Sequence, residues 1–196
     1  ARAMGVDPPR LPRPSVFCIA CVIVSHPAAL LATGVWMVTV SVRRAGPAVL
    51  DPRVKSLNYL NSVLAKREAR LRGADEALIL NSVGNVAEAA VANVFAFRRG
   101  KLLTPPATDG ALEGVTRGCV VELAAGLGIP AEERSLTRMD LLSADEVFLS
   151  GTGARIVAVR SLDGAEIGIR APGPVTEKLA AAFAELARSD GPIYLD

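Results

Sequence analysis

Residues 76–104 contain four short apolar runs: Glu76-Ala-Leu-Ile-Leu80, Val86-Ala-Glu88, Asn93-Val-Phe-Ala-Phe97 and Lys101–Thr104. The segments between them, Asn81–Asn85 and Arg98–Gly100, are rich in residues that favour turns. Apolar runs of this length that are bounded by turn residues are typical of β-strands. The stretch therefore predicts an antiparallel meander, around which the rest of the fold is arranged.

Two further strands and two helices are predicted upstream of the meander. Val16–Val24 and Val35–Val42 are apolar runs rich in β-branched residues, which predict buried strands, and Ala28–Thr33 can form a short helix between them. A longer helix is predicted over Ser56–Arg70, and Gly73 ends it. Its buried face is expected to carry the leucines at helical spacing, which are Leu57, Leu60, Leu64 and Leu71.

Helices and strands are also mixed downstream of the meander. The predicted elements are helices at Val115–Leu127, Thr137–Ser143 and Pro174–Arg188, and strands at Glu146–Leu149 and Ile156–Val159. Strands and helices do not alternate regularly along the chain, which argues against a simple βαβ repeat. The sequence therefore predicts a mixed α/β (α+β) fold, in which an irregular barrel-like mixed sheet is flanked by helices.

The composition indicates a globular protein that acts on small molecules. Of the 196 residues, 51% are hydrophobic and 21% charged, which is enough to bury the core of one or at most two domains. The formal net charge is only +2, so no nucleic-acid partner is expected. The apolar runs Val16–Val24 and Gly34–Val42 are much shorter than the roughly 20 residues that span a membrane. The pattern of a signal peptide is missing, so we expect cytoplasmic residence.

The cysteines do not indicate a metal site. Cys18 and Cys21 have the spacing of a ligand pair, but Cys119 and the single histidine, His26, are the remaining soft ligands in the sequence. This set is too small for a persuasive zinc site, so we interpret the cysteines as structural and expect no metal.

The first residues are predicted to form a linker. Prolines crowd the segment Asp7–Pro14, and each one restricts both its own backbone and that of the residue before it. The sequence also begins without a methionine. We therefore expect residues 1–15 to be a linker from a missing N-terminal domain, followed by one large domain over residues 16–196.

Lys55 is a candidate nucleophilic amine. It stands at the beginning of the predicted helix, where the partial positive charge of the helix terminus disfavours the ammonium form. The alternative is a lysine that is simply solvated.

Glu88 is a candidate partner for a positive charge. It lies in the apolar segment Val86–Phe97, where a carboxylate is costly unless it meets a cation such as a protonated ring nitrogen. The alternative is a glutamate on an edge strand whose side chain points to water.

Two segments are candidates for binding an anion. The amides of Val115 and Thr116 and the Thr116 hydroxyl begin a predicted helix, and a second cluster of donors lies in the turn Ser150-Gly-Thr152 after a predicted strand. The two could converge on one phosphate. Each could equally be an ordinary helix cap or turn.

Together these segments resemble the class IV (fold-type IV) pyridoxal-phosphate-dependent aminotransferases, a family that includes branched-chain and D-amino-acid aminotransferases. The resemblance covers residues 51 to about 186 and rests on six motifs in the family's order. They are Lys55-Ser-Leu-Asn-Tyr-Leu-Asn61, Gly84-Asn-Val-Ala-Glu88 with Asn93-Val-Phe95, Leu103-Thr-Pro-Pro106, Gly114-Val-Thr-Arg117, Asp145-Glu-Val-Phe-Leu-Ser-Gly-Thr152 and Gly173-Pro-Val-Thr176. The fold implied is that of the large C-terminal domain of these enzymes.

The resemblance also implies a role for each motif. Lys55 would be the catalytic residue, which bonds covalently to pyridoxal 5'-phosphate and later moves the substrate α-proton. Glu88 would keep the ring nitrogen protonated, so that the ring can withdraw electrons. The cofactor-binding set implied is Lys55, Tyr59, Glu88, Asn93, Val115, Thr116, Gly151 and Thr152.

Some features depart from the family's pattern. Residues 89–92 are Ala-Ala-Val-Ala, where relatives often carry hydroxyl groups or glycine. Residues 153–155 are Gly-Ala-Arg, where relatives commonly place an acidic residue. The family's N-terminal domain also supplies an arginine to the phosphate and part of the substrate pocket, and nothing in this sequence replaces it.

The activity implied is transfer of an amino group between an amino acid and a 2-oxo acid. The neutral residues 89–92 favour an apolar, branched-chain-like amino acid, while the lysine motif is equally compatible with D-amino acids. The open alternatives are a lyase of the aminodeoxychorismate type, a non-catalytic fragment, and a globular domain whose lysine has no special role. A homodimer is the expected assembly.

Overall fold

A single mixed sheet of nine strands organises the part of the chain that the structure, a computed structural model, describes: residues 16–20, 27–46 and 48–189. The strands are β1 (Val35–Arg43), β2 (Glu76–Leu80), β3 (Val86–Ala89), β4 (Asn93–Arg98), β5 (Lys101–Thr104), β6 (Ala131–Glu133), β7 (Glu146–Gly151), β8 (Arg155–Leu162) and β9 (Ala165–Glu166). The α-helices are α1 (Ala28–Thr33), α2 (Leu60–Leu71), α3 (Val115–Gly126), α4 (Arg138–Leu142) and α5 (Pro174–Ser189).

Parallel and antiparallel pairings coexist in this sheet. The strand order is β3-β2-β1-β8-β7-β4-β5-β6, and β9 pairs with β8. β1 pairs in parallel with both β2 and β8, whereas β7 is antiparallel to both β4 and β8. A parallel strand with neighbours on both sides must be apolar on both faces, and Val35, Met37, Val38 and Val40 of β1 are all buried. The predicted mixed α/β class is confirmed.

Helices cover the sheet and complete the core. α2 packs on β1 and β2, where Ala65 and Ala69 join Val38 and Ile79 in one apolar cluster. α3 and α5 pack together against β7 and β8. In the same apolar cluster Phe95 of β4 and Phe148 of β7 stack with ring centroids 5.0 Å apart. In the described ranges, no helix is both long and apolar enough to cross a membrane.

Most predicted elements are present, but α2 differs in two ways. It begins at Leu60 and not at Ser56, because Leu57 has a left-handed backbone with φ of 63°, which an α-helix cannot contain. Its buried residues are Ser62, Ala65 and Ala69, and the predicted leucine face is wrong: Leu57, Leu60, Leu64 and Leu71 are exposed. Small side chains let the helix axis approach β1 and β2, which places the leucines on the outer side.

The predicted strand over Val16–Val24 is also wrong for residues 16–20, which the structure describes. Residues 16–20 have no regular secondary structure and are exposed, because no sheet edge pairs with them; residues 21–24 lie outside the described ranges. The predicted linker over residues 1–15 lies outside them as well.

The antiparallel meander is correct only as two separate hairpins. β2 pairs with β3 and β4 pairs with β5, but β4 pairs with β7 and not with β3. A tight turn, closed by the hydrogen bond from Ala89 N to Ala92 O (2.8 Å), redirects the chain between the two hairpins. The long-range pairing of β4 with β7 leaves no trace in the local pattern. The short strands β6 and β9 were not predicted.

Glu146 at the beginning of β7 fixes the N-terminus of α5. Its buried carboxylate accepts hydrogen bonds from Val175 N (2.9 Å), Thr176 N (2.8 Å) and Thr176 Oγ1 (2.7 Å). A negative charge at a helix N-terminus is doubly stabilised, by these bonds and by the helix dipole. Glu146 therefore joins the last helix to the sheet.

We expect Glu146→Gln to lower the free energy of unfolding by about 2 kcal/mol, because the amide presents a donor to buried N–H groups and loses the charge. Urea unfolding followed by circular dichroism measures the change. Glu166→Gln, on an exposed glutamate in β9, is the matched control and should change stability by less than about 0.5 kcal/mol. Equal stability of the two variants would contradict this role of Glu146.

Candidate active site

A cavity of about 650 Å³ opens beside the end of β7, and the segment before α2 lines one side of it. It brings together residues from five parts of the chain that are far apart in sequence. All eight residues predicted for the site line this cavity: Lys55, Tyr59, Glu88, Asn93, Val115, Thr116, Gly151 and Thr152. The sequence therefore predicted which residues would meet, while their roles stay predictions.

Lys55 and Tyr59 lie in the irregular segment that leads into α2. The Lys55 amine donates a hydrogen bond to the Tyr59 hydroxyl and lies 5.0 Å from the centre of the Tyr59 ring. The predicted position of Lys55 at a helix N-terminus is wrong, because α2 begins five residues later at Leu60. The argument from the helix dipole therefore does not apply, and Tyr59 is the group that holds the amine.

Glu88 lies on β3 and lines the cavity. It is 6% exposed and does not point to water. Its Oε1 forms a salt bridge with Arg44 Nη2 at 2.8 Å, and its Oε2 accepts from Leu112 N at 2.9 Å. Burial raises the pKa of the Glu88 carboxyl, and the cations of Arg44 and Lys55 and the Leu112 amide oppose this rise only in part.

Asn93 connects the carboxylate to the loop in front of α3. Its Nδ2 donates to Leu112 O at 2.8 Å and lies 3.5 Å from Glu88 Oε2. The Asn93 amide oxygen also explains a glycine, since a Cβ on Gly114 would lie 2.5 Å from it. Only a residue without a side chain fits between Asn93 and the beginning of α3.

The N-terminus of α3 faces the cavity with Val115 and Thr116. The first amides of a helix have no acceptor within the helix, and Gly114 at the N-cap has no side chain to offer them one. Gly151 and Thr152, at the end of β7, line the same cavity. Two groups of N–H and hydroxyl donors therefore face one space, as an anion site requires.

Arg44 of the cavity wall was not predicted from the sequence, and Ser150 was predicted only as part of the donor turn that carries Gly151 and Thr152. Arg44 follows β1, and its contacts with Glu88 and Gly110, which the sequence does not reveal, distinguish it from its neighbour Arg43. Ser150 is fully buried beside Gly151, and its hydroxyl has no hydrogen-bond partner among the described residues.

The cavity offers the amine, hydroxyl and carboxylate groups of its side chains. Within the described ranges, no three His, Cys, Asp or Glu side chains are grouped to hold a metal ion. What the cavity presents is an amine next to a phenol, a buried carboxylate and a set of anion donors. An amine that can react with a carbonyl and a carboxylate that can hold a cationic ring are suited to one bound aromatic anion.

Comparisons with known proteins agree with this arrangement. Residues 9–162 match the family described as "Amino-transferase class IV". A putative branched-chain-amino-acid aminotransferase of Methanocaldococcus jannaschii is 44% identical over 183 residues, which cover 93% of this chain and 62% of that protein.

Two solved structures share the fold. The branched-chain aminotransferase of Escherichia coli aligns with a TM-score of 0.79 and 42% identity, over 82% of this chain and 53% of that one. The enzyme of Thermobaculum terrenum in its PLP form aligns with a TM-score of 0.78 and 41% identity, over 82% and 53%. This chain thus spans a little over half the length of these relatives. Because both the family match and the identities cover most of its residues, the chain belongs to the class IV aminotransferases.

Proposed function

We propose that this chain is the cofactor-holding part of a pyridoxal 5'-phosphate-dependent aminotransferase, which transfers an amino group between an amino acid and a 2-oxo acid. One observation carries the proposal: a buried carboxylate, Glu88, lines the same cavity as the amine of Lys55 and two sets of anion donors. The relatives reported above are named aminotransferases, which favours transamination over the lyase alternative.

The donors of the cavity fit this cofactor at both of its ends. The phosphate would bind the amides of Val115 and Thr116 together with Gly151 and Thr152, and the unpartnered hydroxyl of Ser150 supports a further polar contact there. The ring nitrogen would face Glu88. When bound, pyridoxal phosphate supplies an electrophilic carbonyl and a ring that withdraws electrons.

The residues of this chain would supply binding and proton transfer. Lys55 would hold the cofactor covalently through its amine and afterwards take and return the substrate α-proton. Tyr59, which already accepts a hydrogen bond from that amine, would orient it. Glu88 would hold a proton on the ring nitrogen and so keep a positive charge where electrons must flow.

A branched-chain amino acid is the substrate class we propose. The cavity wall carries Val54, Leu57, Val91 and Val115 and the neutral Ala90 and Ala92, which suit an apolar side chain. The relatives reported are named for branched-chain amino acids. The cytoplasmic residence and the homodimer stay predictions.

Lys55 should carry the cofactor. Reduction with borohydride, followed by peptide mapping, should find the pyridoxyl group on the peptide that contains Lys55. Lys55→Ala should remove the label, because its amine forms the bond. Lys178→Ala, on an exposed lysine of α5, is the control and should keep it. A label on Lys66, Lys101 or Lys178 in the unchanged chain would contradict the assignment.

Glu88→Gln should leave the cofactor bound but slow removal of the α-proton on the order of 100-fold, because a neutral amide cannot stabilise the charged ring nitrogen. Single-turnover absorbance measurements with a branched-chain amino acid follow this step. Glu122→Gln, on an exposed glutamate of α3, should behave like the unchanged protein. Full activity of Glu88→Gln would mean that another group faces the ring.

Further chain beyond these 196 residues is proposed to complete the site. Leu57 and Val115 at the cavity are 75% and 83% exposed, and the relatives are much longer than this chain. A phosphate held only by amides and hydroxyls also lacks the charge-assisted bonds that an arginine gives.

A protein extended upstream to the length of the relatives should bind pyridoxal phosphate at least about tenfold more tightly than the 196 residues alone, since each charge-assisted hydrogen bond is worth roughly 1.5–3 kcal/mol. Fluorescence titration with the cofactor compares the two proteins. Equal affinities would show that the 196 residues hold the cofactor unaided.

A further inference from the structure

Arg44 contacts three separate parts of the chain. Its backbone N donates to Leu80 O at 2.9 Å, which continues the pairing of β1 with β2. Its Nε donates to Gly110 O at 3.0 Å, and its Nη2 reaches Glu88 Oε1 at 2.8 Å. The guanidinium therefore joins the carboxylate of β3 to the loop that follows β5.

The Gly110–Gly114 loop is built around these contacts. Gly110 has φ of 103°, and a Cβ there would lie 2.7 Å from Arg44 Cγ, so the arginine stem occupies the space beside it. Two residues later Leu112 donates its N–H to Glu88 and accepts from Asn93. The loop ends at Gly114, the N-cap of α3. A continuous set of contacts thus runs from Arg44 to the helix N-terminus that faces the cavity.

The charge of Arg44 opposes the effect of burial on Glu88. A buried carboxylate without a cation takes up a proton, and the neutral acid cannot stabilise a positively charged partner. Arg44 and Lys55 are the cations that lower the pKa of Glu88, and the contribution of Arg44 is the larger. The Arg44 side chain is also held through two of its three guanidinium nitrogens, Nε and Nη2, whereas the Lys55 amine is exposed and bound to Tyr59.

We propose that Arg44 is a positioning residue of this site. Its charge opposes protonation of the buried Glu88 carboxylate and its salt bridge orients that carboxylate, and through Gly110 it aligns the Gly110–Gly114 loop, so that the ring partner and the anion-binding end of α3 are held in one fixed relation. The link to the reaction rests on the proposed function, but the effect on Glu88 does not.

The first test uses the cofactor-free protein. NMR titration of glutamate side chains labelled with ¹³C at the carboxyl reports the pKa of Glu88, and the Glu88→Gln variant identifies its signal. Arg44→Gln should raise this pKa clearly further, and Arg44→Lys should restore part of the difference by returning the charge. Glu177, whose pKa is lowered by its hydrogen bonds from Arg170, is the internal reference and should not move. An unchanged Glu88 pKa in Arg44→Gln would overturn the proposal.

Stability against pH provides a second measurement if signals of a variant are poor. Because the pKa of Glu88 is raised in the folded state, protonation of Glu88 stabilises the folded protein relative to the unfolded one. This contribution to the free energy of unfolding is present below the ordinary glutamate pKa and is lost as the pH rises through the raised pKa. Arg44→Gln raises the folded pKa further and should lose more stability between mildly acidic and neutral pH. The double variant Arg44→Gln/Glu88→Gln should lose none of it, and equal pH slopes in all three proteins would refute the coupling.

Kinetics of the cofactor-loaded protein separate this proposal from the proposed function. Arg44→Gln should lower kcat at least about tenfold with a small change in KM, because a Glu88 that takes up a proton more readily stabilises a positively charged partner less in the rate-limiting step. Arg44→Lys should recover part of it. If the Glu88 pKa moves as expected but Glu88→Gln is fully active, the positioning stands and the assignment of Glu88 to the ring fails. If both kcat and the Glu88 pKa are unchanged in Arg44→Gln, the positioning role itself is wrong.

Discussion

The ion pair between Glu88 and Arg44 is the constraint on which the site depends. A carboxylate that is 6% exposed is expensive unless a cation and hydrogen-bond donors surround it. Here the cation comes from the end of β1, one donor from the Gly110–Gly114 loop and another, at longer range, from Asn93 on β4. Removing any of these partners would favour the protonated form of Glu88. The contacts of this one carboxylate therefore join β3 to the end of β1, to β4 and to the Gly110–Gly114 loop around the cavity.

The mixed sheet makes this meeting possible. β1 lies between β2 and β8, and β3 pairs with the other side of β2. Arg44, directly after β1, is therefore two strands away from Glu88 on β3, and its side chain spans this distance. β4 pairs with β7, whose end carries Ser150, Gly151 and Thr152. A continuous meander would instead have placed β3 and β4 side by side and moved Asn93 away from β7. The pairing of β4 with β7, which the local pattern did not predict, therefore brings Asn93 close to the end of β7 in the site.

The sequence predicted most of the strands and helices and the residues that line the cavity, but not the residues that these contact. Periodicity and turn composition gave the bounds of β2, β5 and α1 because these runs are short and clearly delimited. The order of the motifs predicted that Lys55, Glu88 and Thr116 line one cavity, because the residues of such motifs contact the same bound molecule. Arg44 was missed because a lone arginine after a strand has no distinguishing pattern, and its role depends on tertiary contacts. Lys55 was placed on a helix because apolar spacing does not reveal the left-handed backbone of Leu57.

The outer face of α2 shows why burial patterns can invert at a functional site. The helix packs through Ser62, Ala65 and Ala69, which bring it close to β1 and β2. A leucine face there would hold the helix further from the sheet, and the Lys55–Tyr59 segment that leads into it would move with it. The exposed Leu57 and Leu60 instead line the cavity that contains Lys55. These leucines are therefore placed where an apolar ligand or a further protein surface can cover them. The small residues that take their place in the core let α2 lie close to the sheet, which keeps the Lys55 amine in the cavity that Glu88 also lines.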